Sequence, residues 1–305
     1  MVKIFIVKKK RLIEEKLKVL NQDQLHDRIL YPVTRVRAEK AGGSGVLVYS
    51  QPDPKNENEN INISLTCEHV IADCVKIKEE WDAVIKKDVK KDFMEECSIE
   101  VFDYNGSKIS SANSTQATVI AYDKNHDLSA VRLHNTKSMP YVAKIIPKDT
   151  IEDLRLFDPV WVSGCSLLHD PFASNGSLTY LREIIEQKEY MMYNAPSIFG
   201  NSGGGVFNGN TGHLLGLASR ISTIQLGFGI DVMTWMGFCT HPERIHQFIE
   251  HQELQFLINP EDDYYGAMKR RNARRKDGLR ELFFKEQGSE TQVDPKDYDV
   301  TEKTF

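Results

Sequence analysis

The chain has 305 residues, 40% of them hydrophobic and 27% charged, with a formal net charge of −5. That balance supplies enough apolar side chains for a sizeable core and excludes an intrinsically disordered polymer. The negative charge argues against nucleic acid as a partner of the whole chain, and no run approaches the ~18 apolar residues of a membrane span.

At the N-terminus the apolar run Ile4 to Val7 is followed by Lys8, Lys9 and Lys10. It is shorter than the ~7–15 residues of a secretory h-region, so residues 1–30 read as an extension rather than a signal peptide. Leu12, Ile13, Leu17, Leu20 and Leu25 fall near helical spacing and predict an amphipathic helix over Lys10–Asp27. Such a helix packs on the outside of the domain or docks a protein partner. The five cysteines match no zinc spacing and are odd in number. They imply reduced thiols and a cytoplasmic location, with Cys67 a small buried hydrophobe.

Val33–Ala38 and Gly45–Tyr49 predict a hairpin joined through residues 41–44, followed by a polar loop over Gln51–Asn60. The strand Ile61–Thr66 runs into His69. Ile77, Trp81, Ile85, Val89 and Phe93 recur every four residues and predict an inserted amphipathic helix over about 75–96, walling a cleft or covering the domain. Asn105-Gly106 is a hairpin turn signal, and Ala117–Asp123 is the strand that leads to Asp127, which opens the alternating strand Leu128–Leu133.

After a connection over Lys148–Leu156, further strands are expected at Pro159–Gly164, Asn175–Leu181, Glu189–Tyr193, Gly212–Ser219 and Leu226–Asp231. Thr240-His241-Pro242-Glu243 is a capping-box pattern ahead of Ile245, Phe248 and Ile249, which predicts a helix over 241–258. Residues 259–305 read as a charged tail outside the catalytic unit. Its basic run Lys269 to Lys276 is a solvated segment or a docking site for an acidic partner, without the aromatic interleaving of nucleic-acid recognition.

The chemistry concentrates at Gly200-Asn201-Ser202-Gly203-Gly204, one hydroxyl among glycines. Glycines let successive N–H groups point into one small space, which is what a developing oxyanion needs. A serine attacks a carbonyl only when a base takes its proton. His69 and Asp127 lie upstream, in the order His, Asp, Ser, and Asp123 and His126 compete nearby for the same roles.

Thr66-Cys67-Glu68-His69, Asp127-Leu128 through Arg132-Leu133, and Gly200 to Gly204 together resemble the motifs of a chymotrypsin-fold (trypsin-like) serine protease, nearest to the HtrA/Deg type, over about Val33 to Met233. The resemblance implies a mainly β protein of two six-stranded antiparallel barrels with added N-terminal, inserted and C-terminal helices. The protease domain spans 31–240, its first barrel about 31–147 and its second about 157–236. It implies Ser202 as nucleophile, His69 as base and Asp127 as the residue orienting the imidazole. The oxyanion loop is Gly200, Asn201 and Ser202, with the N–H groups of Gly200 and Ser202 as donors, and no metal or organic cofactor is implied.

The implied specificity pocket has Pro196 at its floor and Leu217, Ala218, Ser219, Gly227 and Gly229 at its sides, so a protein or peptide substrate with a small or medium apolar residue is expected. Asp231 is the nearby carboxylate that would upset this. Glu68, Gly205 and the absence of a PDZ domain depart from the HtrA-type pattern, and Asn201 separates the chain from digestive proteases. Glu68 replaces a small residue and is expected either to crowd the histidine or to favour a charged imidazole, which would shift activity toward higher pH. Gly205 replaces a proline, which softens the loop. Asn201 stands where digestive proteases pair an aspartate with a freshly cut N-terminus, and it disfavours that mode of activation. No PDZ domain follows Asn259. The alternative reading is a catalytically silent scaffold, or a structural component of a larger assembly such as a virus particle or defence complex.

Overall fold

The computed structural model describes residues 20–82 and 87–274. Asn21 caps a short helix, α1 (Gln22–Leu25), through a reciprocal capping box with Gln24, and a π-helical turn at His26–Leu30 leads into the first strand. The helix expected from residue 10 onward lies outside the described residues up to position 19. Val33–Arg37 (β1), Gly42–Asp53 (β2) and Asn56–Thr66 (β3) pair in sequence. A short helix, α2 (Glu68–Ile71), follows, and then Val75–Asp82 (β4) and Lys87–Met94 (β5) form a separate two-stranded ribbon. Glu96–Asn105 (β6), Lys108–Asp123 (β7) and Leu128–Leu133 (β8) complete a closed antiparallel barrel in the order β1-β2-β3-β8-β7-β6.

A second closed barrel is built from Pro159–Gly164 (β9), Phe172–Ile185 (β10), Lys188–Tyr193 (β11), Gly205–Asn208 (β12), Leu214–Leu226 (β13) and Gly229–Thr240 (β14). Closure removes open sheet edges and turns alternate side chains inward. Ile63, Leu65, Ile99 and Leu128 are fully buried in the first barrel, and Val160, Leu178, Met191 and Leu215 in the second. Each such side chain contributes about 1.5–3 kcal/mol by leaving water. All five cysteines are buried and unpaired.

Several elements differ from the sequence expectation. The inserted segment is the β4–β5 ribbon and not a helix. Residues four apart share a face in a strand as they do in a helix, because four is a multiple of the strand period of two. The register places Trp81 opposite Asp88 and Ile77 opposite Asp92, leaving both apolar side chains about two-thirds exposed. The polar segment 51–60 is strand rather than loop: Gln51 pairs with Ile61 and Pro52 with Asn60, around a turn capped by Asp53, whose carboxylate accepts the Lys55 N–H at 2.8 Å. Backbone ladders need no apolar side chain where a hairpin extends into water. Gly227 and Phe228 form a hairpin tip, and the closing strand runs on to Thr240.

The C-terminal helix, α3, is shorter than expected, Pro242–His251, and its N-cap is His241, since Thr240 is held in the β14–β11 ladder. A single 3-10 turn at Gln255–Leu257 follows. Residues 264–274 are helical and belong to the folded body, contrary to the expected tail from 259. Tyr264 and Ala267 are buried in the core, Tyr264 meets Phe256 edge-on at 5.7 Å, and Arg132 lies 4.8 Å over the Tyr264 ring. Three described members of the basic run are engaged: Arg270 pairs with Asp262 and Glu253, Arg271 donates to the Ile120 carbonyl, and Arg274 to the His251 carbonyl, while residues 275 and 276 lie outside the described residues. Among the described residues no helix is long and apolar enough to cross a membrane.

Candidate active site

The end of β3 delivers Cys67, fully buried and donating its thiol to the Ala218 carbonyl, and then His69 on α2. The β7–β8 turn delivers Asp127, whose φ of 55° is a left-handed conformation that aspartate tolerates better than most residues. Asp127 Oδ2 lies 2.8 Å from His69 Nδ1, and Oδ1 also accepts the His69 backbone N–H at 3.0 Å. Ser219 on β13 donates its hydroxyl to Asp127 Oδ2 at 2.5 Å. Burial works against the Asp127 charge, yet the hydrogen bonds from His69 and Ser219 prevail and hold its carboxyl below the usual range. With Nδ1 engaged, Nε2 is the ring nitrogen left to take a proton.

Asp123, the competing carboxylate, is occupied otherwise. It caps its own turn, accepting the N–H groups of Asn125 and His126 and lying 2.6 Å from His126 Nδ1. Glu68 is buried, and desolvation first, then the Asp127 charge, raises its carboxyl above the ordinary value.

The serine loop is pinned from both barrels. Ser44 N–H donates to the Ser202 carbonyl at 2.8 Å, and the Ser44 hydroxyl donates to the Gly200 carbonyl at 2.7 Å. Gly203 N–H donates to Ala218 O, and Ala218 N–H returns a bond to Gly204 O. Glycine is required at two points. Gly200 has φ 93°, and a Cβ there would lie 2.5 Å from the Leu167 nitrogen; Gly203 has φ 85°, and a Cβ there would lie 2.1 Å from the Ser44 carbonyl. The Asn201 side chain accepts the Ser166 hydroxyl, and its N–H is spent on Ile198 O, whereas the N–H groups of Gly200 and Ser202 donate to no acceptor among the described residues. At Gly205 the ring of Phe207 occupies the space a side chain would need.

His69, Asn201 and Ser202 line one cavity of about 230 Å³. Ser202 Oγ makes no hydrogen bond among the described residues; nucleophile–base contacts are commonly long before substrate binds and tighten in the complex. Of the sequence-derived pocket residues, Ala218 and Ser219 line this cavity. Leu217 is buried in the core, Gly227 is at the hairpin tip, Gly229 begins β14, and Pro196 is held aside with its carbonyl accepting the Ser174 hydroxyl. Ser219 also does more than line the cavity, since it anchors Asp127. The lining that the sequence reading missed is Tyr193, Ser197, Ile198, Phe199, Arg220 and Ile221. Proximity to Ser202 and to Ser219 along the chain was the available signal. Two larger clefts, of about 840 and 760 Å³, include neither His69 nor Ser202.

Among the described residues, two groups of side chains have metal-ligand spacing, Cys67–His69–Asp127 and Glu189–His241–Glu243, with donor atoms within 4.8 Å. Neither is well suited to hold an ion. The first contains the His–Asp pair together with a thiol whose pKa burial drives well above its ordinary value. In the second, Arg182 and Arg244 already neutralise both carboxylates.

Two antiparallel barrels, with a histidine–aspartate pair on the first and a glycine-bound serine on the second, define the framework of a chymotrypsin-fold peptidase. A family model for the trypsin-like peptidase domain matches residues 43–217, more than half of the chain, and the chain belongs to that family. Among solved structures, the crystal structure of Deg5 matches with a TM-score of 0.50 and 16% identity, covering 77% of this chain and 92% of that one. At that identity the likeness speaks for the fold. No curated protein matches the chain.

Proposed function

We propose that the protein is a serine endopeptidase that forms an acyl-enzyme on Ser202. The observation that carries this reading is the His69–Asp127 contact of 2.8 Å beside a cavity shared with Ser202. Asp127 and Ser219 fix the imidazole so that Nε2 is unprotonated and takes the Ser202 proton as Oγ attacks the scissile carbonyl. The carbonyl oxygen becomes an oxyanion, received by the N–H groups of Gly200 and Ser202. The imidazolium then gives its proton to the leaving amine, and water repeats the sequence to release the acid.

A cavity of about 230 Å³, lined in part by Ile198, Phe199 and Ala218, favours a small or medium apolar side chain at the cleavage site. Five buried free thiols support a reducing compartment such as the cytoplasm. The test is hydrolysis of a peptide library by the wild-type protein and Ser202→Ala. Loss of order 10⁴-fold or more with an unchanged fold is the expected result. Near-normal hydrolysis by the purified variant contradicts the mechanism, and a folded wild-type protein with no turnover points to the scaffold reading.

A further inference from the structure

Arg220 is the guanidinium in the wall of the cavity that holds His69 and Ser202. It follows Ser219 on β13, and its side chain is about one-third exposed. The Tyr190 ring supports it at 5.4 Å, and Nη2 donates to Glu186 at 2.6 Å. Glu186 occupies the β10–β11 turn, where Glu186 and Gln187 both have positive φ, 51° and 65°. Asn-Gly suits such a turn better than Glu-Gln, so the backbone is held in a costly conformation where the carboxylate meets Arg220.

Glu186 itself is largely solvent-exposed, and an exposed ion pair contributes little to stability. A carboxylate that arrives on a bound peptide, shielded by the cavity wall, therefore competes well for the planar guanidinium, which binds carboxylates two-pronged. The surroundings favour the same charge. Lys188 donates to the Lys124 carbonyl at 3.2 Å, and the charges of both lysines act on Glu68 beside His69. The Asp127 carboxylate is already satisfied by His69 and Ser219.

We propose that Arg220 forms a subsite for an acidic side chain of the peptide substrate, at one position flanking the scissile bond, with Glu186 as the carboxylate that competes for it. This rests on the peptidase reading above and adds a substrate class to it. An apolar residue fills the pocket beside Ser202, and a Glu or Asp at one neighbouring position pairs with Arg220.

The experiment uses full-length protein and fluorogenic peptides in which each position around the cleaved bond carries Glu, Gln or Lys in turn. At one position Glu should exceed Gln by about tenfold in kcat/KM, with Lys below both. The Glu-to-Gln ratio at that position should fall to near one in Arg220→Gln, remain partly in Arg220→Lys, and rise in Glu186→Gln, which removes the competitor. Taking the ratio within each variant cancels any change in overall rate. Fluorophosphonate labelling of Ser202 runs alongside. Labelled protein that is indifferent to the carboxylate, or a ratio that survives in labelled Arg220→Gln, overturns the subsite alone. Absence of labelling in the wild type overturns the peptidase reading and the subsite with it.

Discussion

Asp127 receives three donors, the His69 ring, the His69 backbone N–H and the Ser219 hydroxyl, and each favours the ionised carboxylate. Asp127→Asn would present an amide that no longer favours the required tautomer, and peptide hydrolysis should fall on the order of 10⁴-fold. Asp123→Asn should leave the rate within a few-fold, because Asp123 serves its own turn. Measuring both variants with one fluorogenic peptide decides between them; a larger loss for Asp123→Asn would reassign the orienting residue. Glu68 makes a separate prediction. Its folded carboxyl binds a proton more tightly than in the unfolded chain, so between the two pKa values the native state holds more protons and stability falls as pH rises. Glu68→Gln removes that penalty. The melting temperature of the variant should exceed that of the wild type at pH 7, with the gap closing near pH 4. The contact of His69 with Asp127 and the cavity that His69 shares with Ser202 were expected from the sequence because each of these residues sits in a compact local motif. The contact from Ser219 to Asp127 was not, since it joins residues 92 apart on different barrels and leaves no local pattern.

The β4–β5 ribbon shows how a regular apolar spacing can be misread: Ile77 and Trp81 share a strand face that stays largely exposed, where a covering helix was expected. A repeat of four fits either period, and the intervening Lys and Glu residues suit a solvated helix as well as an exposed strand. The helix 264–274 was missed for a different reason. Two buried contacts, Tyr264 and Ala267, tie it to the body, and a charge-rich composition conceals so short an apolar face. Tyr264→Ala should cost about 3 kcal/mol, as expected for removing a buried aromatic side chain. Truncation after Asn259 should lower the melting temperature at least as much. Denaturant titration of both proteins checks this, and unchanged stability would return the segment to the status of a tail.

At the scale of the molecule, the two barrels bring together groups that neither holds alone. The first supplies His69 and Asp127, the second Ser202 and Ser219, and Ser44 on β2 is bonded across the junction to the serine loop. Two barrels were legible because strand-forming runs recur on both sides of a linker, and because the motifs fall at strand ends. The lining of the substrate cavity was less so, since it depends on how β13 and the 197–201 loop converge in space. The proposed chemistry stands on Ser202 as a nucleophile activated by His69. The most direct measurement is covalent labelling by a fluorophosphonate, with the modified residue identified by mass spectrometry in the wild type and in His69→Ala. Labelling at Ser202 is expected in the wild type, with a loss of order 10³-fold or more in the labelling rate of the variant. Unlabelled Ser202 in folded wild-type protein, or equal labelling in His69→Ala, would contradict that chemistry.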